Sequence, residues 1–142
     1  MKLKFKKLTD SAIIPKRSRI GDAAFDISSS EDVLLKANSK HLTHTSIAIE
    51  IEDGYCGLVL PRSGNAVNNG ITVINTPGLI DSNYRGEIKV GLINTSNVDF
   101  NVLKGDRIAQ LLIVPVCDVE VVETDELTDS NRGDAGFGSS GR

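Results

Sequence analysis

A carboxylate and an aromatic ring lie three residues apart within residues 75–89, which read NTPGLIDSNYRGEIK. Asp81 follows a short apolar run that a Pro-Gly turn interrupts, and Tyr84 precedes a run of alternating apolar residues. A carboxylate held by two strands can position a water molecule, and a ring beside it can pack against a flat ligand. The same pattern is typical of a turn aspartate and a rim tyrosine, so these residues alone leave both interpretations open.

Polar clusters recur at the ends of other predicted strands, and two of them, Arg62-Ser63-Gly64 and the glycine-rich residues 132–141, have the composition of a phosphate site. Gly-rich backbone with hydroxyl groups and an arginine supplies the free N–H groups, short donors and delocalised cation that a phosphate chain needs. Each cluster alone is also common for structural reasons, because Gly-Ser segments are often linkers and Gly-Asp pairs are often turns. The clusters are Asp22 with Asp26, Arg62-Ser63-Gly64, Gly105-Asp106-Arg107 with Gln110, and the glycine-rich residues 132–141.

The elements that must position these clusters are short strands. Apolar or alternating runs predict strands at residues 2–6, 33–35, 41–52, 56–60, 71–74, 88–92, 100–103, 107–114 and 116–123. Asp53-Gly54 predicts a hairpin turn between two of them, and a second hairpin should carry Asp81. The one helical candidate covers residues 66–69. Many short strands at regular spacing predict an all-β sandwich or barrel.

Composition narrows the classes of partner. The chain has 142 residues, a length that predicts one domain. Its formal charge of −3 and pI of about 5.3 argue against a surface built to bind nucleic acid. Its apolar runs are too short to span a membrane, and no signal core follows the basic start, so we expect a cytoplasmic protein. Cys56 and Cys117 lie in apolar runs and are interpreted as buried reduced thiols.

Five motifs, taken together and in order, resemble those of the trimeric dUTP pyrophosphatases (dUTPases) along nearly the whole chain. They are GDAAFDI, PRSG, GLIDSNYRGEI, GDRIAQLLIVP and RGDAGFGSSG. Ala24, Phe25 and Asn83 depart from the usual family pattern. The resemblance implies a β-barrel or jelly-roll-like core over residues 1–123 and a flexible C-terminal tail over residues 124–142.

The resemblance also implies a reaction, in which water attacks the α-phosphorus of dUTP and releases dUMP and pyrophosphate. Asp81 matches the carboxylate that orients and deprotonates the water. Tyr84 matches the ring under the deoxyribose, which excludes a ribose 2′-hydroxyl, and Asn75 with the backbone around Leu79 and Ile80 matches the uracil reader. The phosphate contacts would be Arg62, Ser63, Gly64 and Gln110, with Lys89 near the nucleotide.

The remaining implied contacts involve a cation and the tail. Asp26 matches a residue that binds, through water, a Mg²⁺ carried by the triphosphate. Arg132 would close on the triphosphate, Phe137 would stack on uracil, and the γ-phosphate end would lie against Gly138, Ser139 and Ser140. In this family three chains build each site, which implies a homotrimer with shared active sites.

Two alternatives stay open from the sequence. A dCTP deaminase shares the fold but carries a catalytic glutamate where this chain has Gly91, which disfavours that enzyme. A dUTPase-fold protein could instead act as a nucleotide-binding regulatory module. The presence of Asp81, Arg62 and the tail motif favours an active enzyme over such a module.

Overall fold

The protein is all-β, with one short helix, in a computed structural model that describes residues 2–136. Its elements are β1 (Lys4–Lys7), β2 (Phe25–Ser28), β3 (Val33–Leu35), β4 (Lys40–Thr43), β5 (Ile47–Glu50), β6 (Tyr55–Pro61), α1 (Ser63–Asn69), β7 (Ile71–Val73), β8 (Gly78–Ile80), β9 (Val90–Asn94), β10 (Phe100–Val102) and β11 (Arg107–Pro115). The predicted fold class is therefore confirmed, and the predicted helical turn at residues 66–69 lies inside α1.

The strands form four antiparallel groups. A four-stranded sheet has the order β2-β11-β6-β8, and a three-stranded sheet has the order β4-β9-β7. Two further pairs, β1 with β5 and β3 with β10, complete the arrangement. Neighbours in a sheet are mostly distant in sequence, which is typical of jelly-roll-like folds.

One hydrophobic core is shared by these sheets. Ile27, Leu35, Ile47, Leu92 and Leu111 come from five different strands, and each is at most 1% exposed. Burying a side chain of this size contributes roughly 1.5–3 kcal/mol. The core thus fixes the relative positions of the strand ends that carry the polar clusters.

The predicted strand over residues 41–52 is two strands. The break at His44, Thr45 and Ser46 includes Ser46 at a φ of 55°, a left-handed conformation that ends one strand before the next begins. Ala48, which alternates with Ile47 and Ile49 in the sequence, is also buried. Alternation of residue types continues across the break, so the sequence pattern does not reveal it.

The Asp53-Gly54 turn forms, but its strands do not pair. Tyr55 donates its N–H to the Glu52 carbonyl at 3.2 Å and Gly54 has a φ of 82°, so the chain does reverse there. However, β5 pairs with β1, while β6 pairs with β11 and β8. The hairpin prediction was therefore correct for the turn and wrong for the pairing.

The predicted last strand over residues 116–123 is wrong. The final strand ends at Pro115, and Val116, Val119, Val121 and Val122 are between 52% and 93% exposed. A strand needs a continuing row of hydrogen bonds to a neighbour. Val116 donates its N–H to the Gly54 carbonyl at 2.9 Å, and no strand continues beyond Pro115 among the described residues. For the same reason Cys117 is exposed rather than buried, whereas Cys56 is buried as expected.

The segment that carries Asp81 is framed by a paired hairpin. Strands β7 and β9 pair with each other, and the alternating residues Ile88, Val90 and Leu92 are all buried. Between them the chain makes an excursion in which β8 pairs with β6. Asp81 follows β8 directly, so it lies beside the four-stranded sheet rather than at the tip of the hairpin.

Within residues 2–136, no helix has the length and apolar character needed to cross a lipid bilayer.

Candidate functional site

A small cleft, here called the ring cleft, opens between β8 and β9. Its volume is about 160 Å³, close to the roughly 150 Å³ of a cavity that holds one benzene ring. The cleft is therefore large enough for a single flat ring. It is lined by Val59, Val73, Asn75, Tyr84, residues 78–81 and residues 87–91.

Two glycines keep the ring cleft open. A Cβ at Gly91 would come within 2.9 Å of Ile74 Cγ2, and a Cβ at Gly78 would lie 3.3 Å from the Asn75 side-chain nitrogen. The Asn75 amide therefore lies close to the bare backbone of two strands. The side-chain amide and the outer edge of β8, which is the last strand of its sheet, can together read the hydrogen-bonding edge of a flat polar ring.

Tyr84 folds back over its own turn at the mouth of the ring cleft. Its hydroxyl donates to the Glu87 carbonyl at 2.9 Å, and its N–H donates to the Asp81 carbonyl at 3.1 Å. A Cβ on Gly86 would come within 2.5 Å of the Tyr84 hydroxyl oxygen, so only glycine fits beneath this ring position. The turn thus holds the ring and the exposed Asp81 carboxyl at one rim.

A second, larger cavity, here called the basic pocket, has a volume of about 650 Å³. Its lining combines arginines, hydroxyl groups and glycine backbone, which is a donor set suited to phosphate. Ser63 and Gly64 reach it from the first turn of α1, directly after β6. It is lined by Ser18, Arg19, Asp22, Ala23, Ala24, Asp26, Leu60, Arg62, Ser63, Gly64, Arg107, Gln110 and Leu112.

A β-bulge in β11 turns two of its polar residues toward the basic pocket. The register against β2 shifts between Arg107 and Ala109, and both Ile108 and Ala109 are buried. In a regular strand Arg107 and Gln110 would face opposite sides, because side chains alternate. The extra residue brings both onto one face, as bulges beside functional sites often do.

Asp26 is held by several donors at the back of the basic pocket. Ser18 Oγ donates to its Oδ2 at 2.5 Å, Arg107 donates to the same oxygen at 3.1 Å, and Arg62 Nε lies 3.2 Å from Oδ1. Burial raises the pKa of this carboxyl. The hydrogen bonds from Ser18 and Arg107, with the charges of Arg62 and Arg107, outweigh burial and lower the pKa overall.

The predicted site residues fall into two groups in one chain. The ring cleft collects Asn75, Leu79, Ile80, Asp81, Tyr84 and Lys89, whereas the basic pocket collects Asp26, Arg62, Ser63, Gly64 and Gln110. The two cavities have no lining residue in common. Each group is therefore brought together by the fold, but the fold does not merge the two groups into one cavity.

The predicted tail residues lie apart from both groups. Arg132 is in a turn, where its Nε donates to the Ala135 carbonyl at 2.8 Å, and it lines neither cavity. Phe137, Gly138, Ser139 and Ser140 lie outside the described residues.

Several residues at these cavities were missed from the sequence. Ser18 donates to Asp26, beside Arg107 of the Gly105-Asp106-Arg107 cluster, and Glu87 bonds to His44 and, through its carbonyl, to Tyr84. The basic run Arg17-Ser18-Arg19 was a weak signal for the first of these contacts. The contact between Glu87 and His44 had no signal in the sequence, because 43 residues separate them.

A magnesium ion carried by a triphosphate fits this donor set. No group of three or more ligating side chains occurs within the described chain, so the protein there offers no complete cage for a cation. Asp26 instead offers carboxylate oxygens in a pocket suited to phosphate, and Mg²⁺ commonly keeps several waters and binds through few carboxylates.

Comparison with known proteins gives consistent matches. A sequence model of the dUTPase family matches residues 10–141. A deoxyuridine 5'-triphosphate nucleotidohydrolase of Nautilia profundicola is 53% identical over 142 residues, covering 100% of both chains. The enzyme of the same name from Helicobacter hepaticus is 51% identical, covering 99% of this chain and 89% of its own.

Solved structures give the same match. A Staphylococcus bacteriophage 80alpha dUTPase with dUpNHpp superposes with a TM-score of 0.93 at 31% identity, covering 99% of each chain. A mutant dUTPase from S. aureus phage phi11, in which the coordination of a structural Mg(II) ion was described, has a TM-score of 0.83 at 27% identity. That match covers 89% of this chain and 98% of the phage chain.

Proposed function

The chain belongs to the dUTPase family and hydrolyses dUTP to dUMP and pyrophosphate, and from that premise we propose how its residues do so. Asp81 is the general base that orients the attacking water and takes its proton. The observation that carries this role is the place of its exposed carboxyl on the rim of a cleft sized for one flat ring. A positioned general base contributes on the order of 10²–10⁴ in rate.

The ring cleft binds the uracil and the sugar. The Asn75 amide and the backbone around Leu79 and Ile80 pair with the edge of uracil, and the narrow cleft leaves no room for the methyl group of thymine. A cytosine edge would leave buried partners unpaired, which is the costly kind of mismatch. The Tyr84 ring packs under the deoxyribose and excludes a 2′-hydroxyl, and Lys89 lies near the nucleotide.

The basic pocket binds the triphosphate. Ser63 and Gly64 supply donors at the first turn of α1, where backbone N–H groups have no partner inside the helix. Gln110 is held toward the pocket by a 2.9 Å hydrogen bond from its Nε2 to the Pro61 carbonyl. Arg62 contributes positive charge, although its Nε is already paired with Asp26.

Asp26 would hold water molecules bound to Mg²⁺ on the triphosphate. When bound, the cation neutralises charge on the phosphate oxygens. The residues of this chain do the rest: Arg62 and Arg107 fix the orientation of the Asp26 carboxyl, and Asp81 holds the water and accepts its proton.

The complete site is shared between chains of a homotrimer. The ring cleft and the basic pocket are separate cavities in one chain. This separation supports the proposal, because dUTP needs the ring cleft for its uracil and sugar and the basic pocket for its triphosphate. A neighbouring copy in a closed ring of three can bring its basic pocket to the ring cleft. The core range 1–123, whose last strand ends at Pro115, precedes a tail at residues 124–142, and we propose a cytoplasmic location for the protein.

The tail completes a neighbour's site. Exposed apolar side chains lie on both sides of the start of the tail, with Val119 and Val121 before residue 124 and Leu127 after it, and they suit contact with another subunit. Such contact would carry Arg132 to the triphosphate, Phe137 to the uracil face, and Gly138, Ser139 and Ser140 to the γ-phosphate end.

Substitution of Asp81 tests the chemical proposal. Asp81→Asn keeps the size of the side chain but removes the proton acceptor, so kcat for dUTP should fall by at least about 10². Binding of the non-hydrolysable analogue dUpNHpp, measured by calorimetry, should stay within a few-fold of wild type.

Nucleotide selectivity provides the control. The wild-type chain should release pyrophosphate from dUTP but not from dCTP or dTTP under the same conditions. Near-normal turnover by Asp81→Asn would remove Asp81 from the role of base while leaving dUTP as the substrate.

A further inference from the structure

The position of the Tyr84 ring depends on the backbone of the next three residues. Its hydroxyl donates to the Glu87 carbonyl at 2.9 Å, and its ring lies against Gly86 with no space for a Cβ. Any shift of the backbone at residues 86 and 87 therefore moves the ring and changes the space beneath a bound sugar.

A carboxylate anchors that backbone to a different part of the chain. Glu87 Oε1 accepts the Ser46 N–H at 2.8 Å, and Glu87 Oε2 lies 2.9 Å from His44 Nδ1. The Glu87 side chain is only 17% exposed, and hydrogen bonds to a partly buried carboxylate are stronger than those between neutral groups. Glu87, His44 and Ser46 are called the Glu87 clamp below.

The far side of the Glu87 clamp is itself held in place. Ser46 has a φ of 55°, its carbonyl accepts the Leu8 N–H at 2.8 Å, and its hydroxyl donates to Ser30 Oγ at 2.8 Å. A non-glycine residue persists in this conformation only when its surroundings fix it. The clamp thus joins the turn of Tyr84 to a rigid corner between β4 and β5.

The main-chain contacts beside the Glu87 clamp do not depend on the carboxylate. Ile88 donates its N–H to the Ile47 carbonyl at 2.8 Å, and Glu87 pairs with Ala48 in an isolated bridge. Loss of the carboxylate should therefore leave the fold intact. The Glu87 carbonyl belongs to the same peptide group as the Ile88 N–H, so the main chain holds one side of that group and the carboxylate holds the Glu87 side. Loss of the carboxylate should remove the second anchor and shift the carbonyl that receives the Tyr84 hydroxyl.

We propose that Glu87 is a positioning residue for sugar selection: its bonds to Ser46 and His44 fix the carbonyl that holds the Tyr84 ring against the deoxyribose. This inference rests on the proposed role of Tyr84. Glu87 also borders the ring cleft, where its Oε2 lies 3.9 Å from Lys89 Nζ. The role proposed for it acts through the Tyr84 ring and connects selectivity to the corner at His44.

The test compares kcat/KM for dUTP and for UTP. Glu87→Ala should lower the dUTP-to-UTP ratio by at least about threefold, the size of a small coupling between residues in contact. Glu87→Gln keeps an acceptor for the Ser46 N–H, so its ratio should stay within twofold of wild type. If Glu87→Ala does not fold, Glu87→Met removes the same acceptors with a similar side-chain length and carries the same expectation.

Glu31→Ala is the matched control. Glu31 Oε1 accepts the His44 N–H at 2.8 Å and lies 3.2 Å from His41 Nε2, so it binds the same corner from the other side without lining the ring cleft. Its substitution should leave the ratio unchanged. If Glu31→Ala lowers the dUTP-to-UTP ratio as much as Glu87→Ala does, the proposal is overturned, because any disturbance of the corner at His44 would then reduce selectivity.

A double-mutant cycle separates positioning from a general structural effect. Tyr84→Phe keeps the ring but loses the hydroxyl, so it should lower the ratio as Glu87→Ala does. The combined variant should fall no further than the more affected single variant, since both remove one linkage. If the fall in the ratio of the combined variant equals the product of the two single falls, the two residues act independently and the proposal is contradicted.

Tyr84→Ala separates this inference from the proposed function. An unchanged ratio in Tyr84→Ala would overturn the role of Tyr84 in sugar selection, and the inference with it. A changed ratio in Tyr84→Ala with an unchanged ratio in Glu87→Ala would overturn the inference alone.

Discussion

Asp26 shows how a single residue can serve both stability and the site. Its two carboxyl oxygens bind Ser18, Arg107 and Arg62, which come from three different segments of the chain. These bonds lower the pKa of the Asp26 carboxyl. They also hold the two arginines beside Ser63 and Gln110 in the basic pocket. A charged group at this point therefore organises the wall against which phosphates would lie.

The lowered pKa of Asp26 predicts a pH-dependent contribution to stability. The pKa is below the ordinary 3.8 in the folded chain, so the stabilisation is complete above the unfolded-state pKa and is lost as the pH falls through the folded-state pKa. Asp26→Asn should be less stable than wild type at pH 7 by roughly 1–3 kcal/mol, the usual cost of losing hydrogen bonds to a charged group. The difference should narrow as the pH is lowered below about 5.

Urea unfolding at a series of pH values and one protein concentration measures this difference. Asp125→Asn, which changes an exposed carboxyl after the last strand, is the control and should follow wild type throughout. A gap between Asp26→Asn and wild type that stays constant down to pH 3 would show that ionisation of Asp26 does not contribute.

At the scale of elements, a buried asparagine at the end of β9 stabilises the connection from β9 to β10. Asn94 is 1% exposed, and its amide nitrogen donates to the carbonyls of Leu35 and Val98 at 3.1 and 2.8 Å. Its oxygen accepts the N–H and the hydroxyl of Ser96 at 2.9 and 2.8 Å. One side chain thus satisfies polar groups of a loop and of β3.

Asn94→Ala should destabilise the protein by roughly 1–3 kcal/mol, because it leaves buried backbone groups without partners. Asn97→Ala is a matched change at an exposed position of the same loop and should have an effect below about 0.5 kcal/mol. Denaturant midpoints at a fixed protein concentration measure both. Equal midpoints for the two variants would contradict the structural role of Asn94.

Strands could be predicted where the local pattern of apolar and polar residues is enough to determine them. Residues 33–35 form β3 as expected, since their apolar run is bounded by polar residues, and β7 and β9 follow the alternation around them. Residues 116–123 show the limit of this approach, because alternation indicates a suitable pleat but does not supply a neighbouring strand. The break at Ser46 depends on contacts with Leu8, Ser30 and Glu87, which no local pattern contains.

The same distinction applies to the site. Asn75 and Tyr84 were grouped in the sequence as one polar cluster, and the family resemblance grouped Arg62 with Gln110. The fold brings each of these pairs to one cavity, whereas their roles stay predictions. The Glu87 clamp could not be predicted, because it joins residues more than forty positions apart through side chains with no motif of their own. The bulge in β11 that brings Arg107 beside Asp26 likewise follows from pairing with β2, not from composition.

At the scale of the whole molecule, the central claim is that no single chain contains a working site. The ring cleft holds Asp81 and Tyr84, the basic pocket holds Ser63 and Gln110, and Arg132 lines neither. A closed ring of three chains with one site per interface can supply all three parts. In such a ring, Asp81 and Arg132 of one site belong to different chains.

Subunit complementation tests this claim most directly. Asp81→Asn and Arg132→Ala should each be nearly inactive; the two are then unfolded, mixed in equal amounts and refolded, and mass spectrometry confirms that mixed trimers have formed. Every mixed ring has one site with both residues intact, so random reassortment should restore about a quarter of wild-type dUTP hydrolysis. Activity that remains at the level of the separate variants, in confirmed mixed trimers, would contradict a site shared between chains.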